Sequence, residues 1–328
     1  MNEKDSYAAL GPDQILDAVE SAGFVCDGHF LALNSYENRV YQVGIEGEAP
    51  LVVKFYRPGR WQDDAILEEH AFSHQLADLE IPVVAAMANS QGETLLQHNG
   101  FRFALFPRRG GMSPELDNPG TLEQLGRFVA RIHNLGAVRP FESRPTLEIE
   151  SFGIASYQYL LEQGFIPAAL KEAYRTLAED LIVRIRACYQ RAGDVEMLRL
   201  HGDCHPGNIL WRDAGAHIVD LDDARMGPAI QDLWMFLSGD RVYMTARLGD
   251  LLAGYTEFRD FNPRELHLLE ALRTLRMMHY AAWLARRWDD PAFPMAFPWF
   301  NTERYWDEHV LSLREQAAQM DEPVLVWD

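Results

Sequence analysis

Within residues 199–225, RLHGDCHPGNILWRDAGAHIVDLDDAR, Asp203 stands five residues before Asn208, and Asp220 follows twelve residues later. Asp-x-x-x-x-Asn with a downstream Asp, between hydrophobic strand-like flanks, is the spacing of a phosphoryl-transfer site. Such transfer spreads negative charge over the equatorial oxygens of the phosphoryl group, so catalysis comes mainly from positioning and from cations. Asn208 and Asp220 are hard oxygen ligands suited to Mg²⁺, which leaves Asp203 to orient an acceptor hydroxyl and take its proton. Asp and Asn also form ordinary turns in Gly/Pro loops. Turn formation does not explain three roles at the required spacings together.

These residues need elements to hold them. Residues 31–33, 39–43 and 51–56 read as short strands, and 63–79 reads as a helix with Ile66, Leu67, His70, Phe72 and Leu76 on its apolar face. A hairpin is expected from 93–97 and 101–106 around Asn99-Gly100. After Pro107 the pattern turns helical: Thr121 with Gln124 reads as a capping box ahead of a stripe at Leu122, Leu125, Val129 and Ile132 that ends at Gly136. Residues 168–192 read as a second long helix. Short strands at 198–200, 209–211 and 216–220 hold the catalytic loop, and helices resume from Pro228. The expectation is an α+β fold of two lobes, residues 1–107 forming a small antiparallel sheet with one helix and residues 108–328 forming a larger, mainly helical lobe.

Lys54, in LVVKFY on the third strand, takes the place of the lysine that contacts the α- and β-phosphates in V-A-I-K. Its partner should be a carboxylate on the next helix. Glu68 and Glu69 are adjacent, point about 100° apart, and so only one can face the lysine; Glu69 is preferred. The loop Asn34-Ser35-Tyr36-Glu37-Asn38 contains no glycine, and Ser35 is its candidate for contacting phosphate oxygens. Phe106-Pro107 would offer backbone groups to an adenine.

With 30 Lys plus Arg against 49 Asp plus Glu, the formal charge of −19 makes nucleic acid and anionic lipid poor partners for the bulk surface. Three scattered cysteines, Cys26, Cys188 and Cys204, form no disulfide framework and suit a reducing cytoplasm. No signal-peptide pattern or long apolar run occurs, so neither export nor membrane insertion is expected.

The segments LNSYENRVYQV, VVKFYRPGRW, RLHGDCHPGNILWRD, VDLDDARMGPAIQDLWM and WLARRWDDPAFPMAFPWF resemble the aminoglycoside phosphotransferase and choline kinase-like group of the protein-kinase-like fold, and within it the bacterial stress response kinase A family. The resemblance implies ATP and Mg²⁺ as cosubstrate and cofactor, and a protein Ser/Thr hydroxyl as acceptor in a stress response. It implies Asp203 as proton acceptor, Asn208 and Asp220 as Mg²⁺ ligands, Lys54 with Glu69 as phosphate clamp, Ser35 as an ATP-contacting residue, and Asp232 as a brace of the catalytic loop. D-F-G, A-P-E and a long activation segment are missing, so control by activation-loop ordering is not expected.

Other readings share these residues. A small-molecule kinase for an aminoglycoside, choline-like alcohol or hydroxy amino acid would use the same donor site, and the aromatic C-terminal region from Trp283 to Trp306 could cage an amine. A scaffolding pseudokinase is opposed by retention of Lys54, Asp203, Asn208 and Asp220. Zinc at His201, Cys204 and His205 lacks a fourth ligand pair, and Cys204 beside Asp203 raises a redox role.

Overall fold

The computed structural model describes residues 7–212 and 215–327. They cluster into two compact units. The first comprises Met1–Glu115, Phe141–Arg144 and His205–Ala224; the second comprises Leu116–Pro140, Pro145–Cys204 and Arg225–Asp328.

The first unit begins with a helix not expected from the sequence, α1 (Pro12–Ser21), followed by strands β1 (Cys26–Ala32), β2 (Arg39–Ile45) and β3 (Leu51–Phe55), helix α2 (Asp63–Asp78), and strands β4 (Leu96–His98) and β5 (Phe101–Pro107). All pairings in the sheet are antiparallel, in the order β1-β2-β3-β5-β4. Strand alternation sorts its residues by face. Val43, Val53, Phe55, Phe103 and Leu105 form an apolar core with Ile15, Ala18 and Val19 of α1. The even-numbered residues of β3, Val52 and Lys54, go to the opposite face, where α2 lies with Ile66 against Tyr56 and Ala104. Lys54 therefore sits in the central strand, opposite Val40 on one side and Ala104 on the other.

The expected hairpin is present, with Asn99 and Gly100 both at positive φ (47° and 86°), the combination a tight two-residue turn requires. Strand β1 starts at Cys26, earlier than periodicity suggests, because an irregularity between Cys26 and Phe30, with Gly28 at φ 83°, hides its alternation. On α2, Leu67 is 44% exposed and is not part of the buried face.

Strands β6 (Leu198–Leu200), β7 (Ile209–Arg212), β8 (Gly215–Ile218) and β9 (Arg225–Gly227) frame the segment that holds Asp203, Asn208 and Asp220; β7 pairs with β8 in the first unit, and β6 with β9 in the second. The units are not cut once after Pro107, as the sequence pattern suggested. The β7–β8 hairpin joins the sheet unit because Ile218 donates to Pro82 O at 2.7 Å and accepts from Val84 N at 2.9 Å. Residues 141–144 join it because Glu68 accepts the backbone N–H groups of Glu142, Ser143 and Arg144.

The second unit is helical: α3 (Thr121–Gly136), α4 (Ala155–Glu162), α5 (Lys171–Ala192), α6 (Ile230–Leu233), α7 (Arg241–Tyr255), α8 (Leu269–Arg286), α9 (Ala292–Ala296) and α10 (Glu303–Asp321). Leu122, Leu125, Val129 and Ile132 are buried as expected. The capping box is not formed: Gly120, in the left-handed region at φ 79°, takes the N-cap position, and buried Thr121 is already the first helical residue. Gly120 offers no side-chain acceptor, and the Thr121 N–H is taken instead by Asn118 O at 3.1 Å. No helix of the described residues is long and apolar enough to cross a membrane.

Helices α3 and α7 approach through reciprocal glycines. A Cβ on Gly126 would collide with Leu251 O, and one on Gly254 with Glu123 O. In an exposed helix, Gly→Ala gains about 1 kcal/mol from propensity. Here the obstacle is backbone, so Gly126→Ala should instead cost about 1–3 kcal/mol; a lowered midpoint in urea denaturation checks the sign.

Candidate active site

Ser35, Lys54, Glu69, Asn208 and Asp220 all line one cavity of about 420 Å³ in the first unit, together with Val40, Val52, Phe106 and Leu210. Its volume and mixed lining suit a nucleotide-sized ligand. Segment Arg109-Gly110-Gly111 closes one wall. A Cβ on Gly111 would lie 2.6 Å from the backbone of Leu210, so glycine permits the paired bonds between Met112 and Trp211 (3.1 and 2.7 Å) that hold this segment to β7.

Lys54 is buried, and its Nζ lies 2.9 Å from Asp220 Oδ1 and 3.4 Å from Asp222 Oδ1. Burial opposes its charge, but Asp220, Asp222 and Glu69 outweigh that and hold the ammonium protonated well above the usual lysine range. The two aspartates differ. The Asp220 side chain is 52% exposed, and its backbone is left-handed at φ 62°, ψ 64°. Asp222 is 5% exposed and fully engaged: it pairs with Lys54 and Arg60 and accepts from Asn38 Nδ2 at 3.0 Å. Burial would raise the Asp222 pKa, but Arg60 and Lys54 hold it below the ordinary carboxylate value.

Glu69, preferred from the sequence as the partner of Lys54, lines the cavity, and Glu68 turns away to cap residues 142–144. Glu69 makes no ion pair with Lys54, whose two ion pairs go to Asp220 and Asp222. Buried, with its Oε2 lacking a hydrogen-bond partner, it has its pKa pushed up to about 7, chiefly by desolvation. Nearby, His70 is held between Tyr56 Oη (2.7 Å) and Thr94 Oγ1 (2.9 Å), and burial followed by the charge of Lys54 lowers its pKa to about 3, so it is neutral. Ser35 reaches the cavity wall, but its hydroxyl donates to Asn38 O at 3.2 Å.

Asp203 belongs to the second unit. Its carboxylate lies 2.5 Å from Arg276 Nη1, and its backbone N–H donates to His201 Nδ1. Asp232, almost fully buried, accepts from the backbone N–H groups of His201 and Gly202, both at 2.8 Å, and lies 3.3 Å from His133 Nε2. Burial opposes its ionisation; the hydrogen bond with His133 and the bond from the Gly202 N–H help outweigh it and lower its pKa. The loop is thus braced through its backbone, as the resemblance implied for Asp232. Gln231 adds a bond to Gly202 O at 3.1 Å. Cys204 is buried, and desolvation, then Asp232 and Asp203, raise its pKa well above the thiol value, which opposes the electropositive exposure a redox thiol needs. His205 is spent locally, accepting from Gly207 N at 2.9 Å.

Asp222, Arg60, Asn38 and Arg276 were not singled out from the sequence. The available signal was electrostatic: a lysine in a central strand needs more countercharge than one half-exposed aspartate, and Asp222 is the next acid along from Asp220.

Residues 29–269 match the phosphotransferase enzyme family. The chain belongs to that family. It is 46% identical over 324 residues to stress response kinase A of Escherichia coli strain K12, covering 99% of this chain and 98% of that protein. It is 44% identical over 320 residues to the serine/threonine protein kinase RdoA of Salmonella typhimurium strain LT2, covering 98% and 96%. Among solved structures it is similar to an amicoumacin kinase bound to AMP-PNP and Ca²⁺ (TM-score 0.72, 16% identity, 96% of each chain) and to a microcompartment-associated aminopropanol kinase (TM-score 0.67, 16% identity, 94% and 96%). This phosphotransferase family member is therefore a kinase with the protein-kinase-like fold, an antiparallel-sheet unit and a helical unit.

Two outcomes follow for the buried charges. Asp222→Asn leaves Arg60 and Lys54 without their buried counter-ion and should cost about 3–5 kcal/mol, read by denaturant unfolding. For Glu69, the folded pKa lies above the unfolded one, so the folded chain holds more protons between the two and loses stability as pH rises through that window. Glu69→Gln removes this slope, so its melting temperature relative to the parent should rise between pH 5 and pH 8. A constant difference would show that Glu69 does not titrate as a buried acid.

Proposed function

We propose that the protein transfers the γ-phosphate of ATP to a Ser or Thr hydroxyl of a protein acceptor. The observation that carries this reading is the buried Lys54 ammonium beside Asp220 on the wall of the 420 Å³ cavity, a fixed positive charge where phosphate must lie. Protein as acceptor is supported by the names of relatives 46% and 44% identical over almost the whole chain. Those relatives also support a role in a stress response.

In this mechanism Lys54, held protonated chiefly by Asp220 and Asp222 with Glu69 beside it, binds the α- and β-phosphates, and Ser35 turns its hydroxyl or N–H to a phosphate oxygen. Asp203 orients the acceptor hydroxyl and receives its proton as the new O–P bond forms; the bond from the γ-phosphorus to the bridging oxygen breaks, and ADP leaves with the electron pair. Asn208 and Asp220 would hold Mg²⁺. Their amide and carboxylate oxygens are the hard donors that ion takes, and the Asp220 side chain is open enough to accept it. When bound, the ion neutralises phosphate charge. Three free cysteines and the acidic surface fit a cytoplasmic enzyme with no nucleic-acid partner.

The test is transfer of labelled phosphate from Mg²⁺-ATP to generic protein acceptors beside amino alcohols and aminoglycosides. Asp203→Ala should lower turnover by about 10²- to 10⁴-fold with nucleotide binding little changed, and Asp220→Ala should abolish Mg²⁺-dependent turnover without unfolding the chain. Label on protein Ser or Thr, lost in Asp203→Ala, supports the reading. Asp203-dependent turnover confined to a small alcohol would replace the acceptor while keeping the catalytic residues.

A further inference from the structure

We propose that Arg276 is a specificity-determining residue of the acceptor site, selecting hydroxyls flanked by negative charge, such as a Ser or Thr within an acidic segment. The inference rests on the reading of Asp203 as proton acceptor and adds the substrate class that this residue admits.

The guanidinium of Arg276, on α8, lies 2.5 Å from Asp203 Oδ1. Both side chains are partly open to solvent, 39% for Arg276 and 22% for Asp203. Asp203 Oδ1 is itself buried, so the open partner of the pair is Arg276, whose guanidinium an incoming charged group can reach. An acceptor hydroxyl needs an oxygen of Asp203, the group Arg276 holds. An acceptor carrying a carboxylate beside its hydroxyl gives the guanidinium a replacement partner, with which it can form a two-pronged bond, and so releases Asp203 for the proton. An acceptor carrying an ammonium there does the opposite. It meets a like charge next to the proton acceptor and must displace Arg276 without compensation.

The surroundings within the second unit agree. One turn along α8 from Arg276, His279 stacks on Phe152 (centroids 4.2 Å apart), and the Arg225 guanidinium lies over the same Phe152 ring at 4.8 Å. Tyr280, adjacent to His279, stacks on Trp283 of the following turn at 5.6 Å. The Arg276 and Arg225 guanidiniums are what set the charge of these surroundings; the aromatic faces do not discriminate by themselves, since they also attract cations. The formal charge of −19 would attract cations at long range, but screening limits that field to about 8 Å at physiological salt. At contact, the local guanidinium decides.

The experiment measures binding first and transfer second. Fluorescent peptides with one Ser flanked by Glu, Ala or Lys are titrated into the protein with Mg²⁺ and a non-hydrolysable ATP analogue, and the same peptides are then offered with ATP. The Glu-flanked peptide should bind about tenfold or more tighter than the Lys-flanked one. Arg276→Gln should collapse that ratio, mainly through KM, and Arg276→Lys should restore part of it; melting temperatures verify folding. Equal losses on all three peptides would reduce Arg276 to an anchor of Asp203. Tighter binding of the Lys-flanked peptide, or no charge preference, would overturn the proposal. If peptides bind with this preference but are not phosphorylated, the protein-kinase reading fails while the charge preference stands. If only small alcohols turn over, glycerate and choline replace the peptides: Arg276-dependent preference for glycerate keeps the inference, and preference for choline overturns it.

Discussion

The first unit is organised around one constraint: a lysine ammonium placed in the central strand of a sheet, away from water. An isolated buried charge is costly enough that the group would normally lose its proton. Lys54 keeps it because two carboxylates lie within 3.4 Å and a third, Glu69, acts from nearby. The two paired aspartates divide the work. Asp222 is sealed in by Arg60 and Asn38 and serves as the permanent counter-ion, while Asp220 faces the cavity half-exposed and stays available to a ligand. A site with only Asp220 would lose the charge balance of its lysine whenever Asp220 engaged something else.

The second unit solves a related problem around Asp203. The backbone on the N-terminal side of Asp203 contains Gly202, at φ 85°, and has no regular secondary structure to satisfy it. Buried Asp232 takes two of its N–H groups, one on each carboxylate oxygen, and is itself supported by His133, whose other ring nitrogen meets Tyr255 Oη at 2.9 Å. Charge-assisted bonds to backbone are short and directional, so this chain from α7 through α3 fixes the loop more firmly than neutral contacts would. The glycines that let α3 and α7 touch are therefore part of what positions Asp203.

Much of this was legible in the sequence, for identifiable reasons. Loop spacing singled out Asp203, Asn208 and Asp220, and the match of LVVKFY to V-A-I-K on a third strand singled out Lys54; Lys54, Asn208 and Asp220 line one cavity, and Asp203 lies in the second unit. The Asn99-Gly100 turn and the stripe of α3 were equally local. What escaped depends on contacts between distant segments. Arg60 meets Asp222 from 162 residues away, and Arg276 meets Asp203 from 73, separations at which composition and period carry no information. The capping box failed for another reason: Thr121 and Gln124 have the right spacing, but a glycine ahead of them can adopt the left-handed turn and shift the helix start by one residue. Helix α1 lay outside the expected elements altogether, although its buried Ile15, Ala18 and Val19 help complete the sheet core.

Asp220 shows how the local backbone makes the division of labour possible. A non-glycine residue at φ 62° is uncommon, and aspartate is among the few that tolerate it, at a cost of about 1 kcal/mol or more. Had β8 continued extended, the chain would have carried Asp222 about 7 Å beyond Asp220. Two residues past β8, the left-handed Asp220 instead opens the short turn Leu221–Asp223, which sends Leu221 into the core at 2% exposure and brings both aspartates to one ammonium. Arg144 then fastens the turn, donating to Ala224 O and Asp222 O from the segment that Glu68 caps. The strained residue is held by bonds on its C-terminal side, and the strain is concentrated at the one aspartate that faces the cavity. An alanine at this position would lose both the carboxylate and the preference for the turn, whereas asparagine would keep the turn and lose only the charge, so the two substitutions separate what Asp220 does for the backbone from what it does for the ligand.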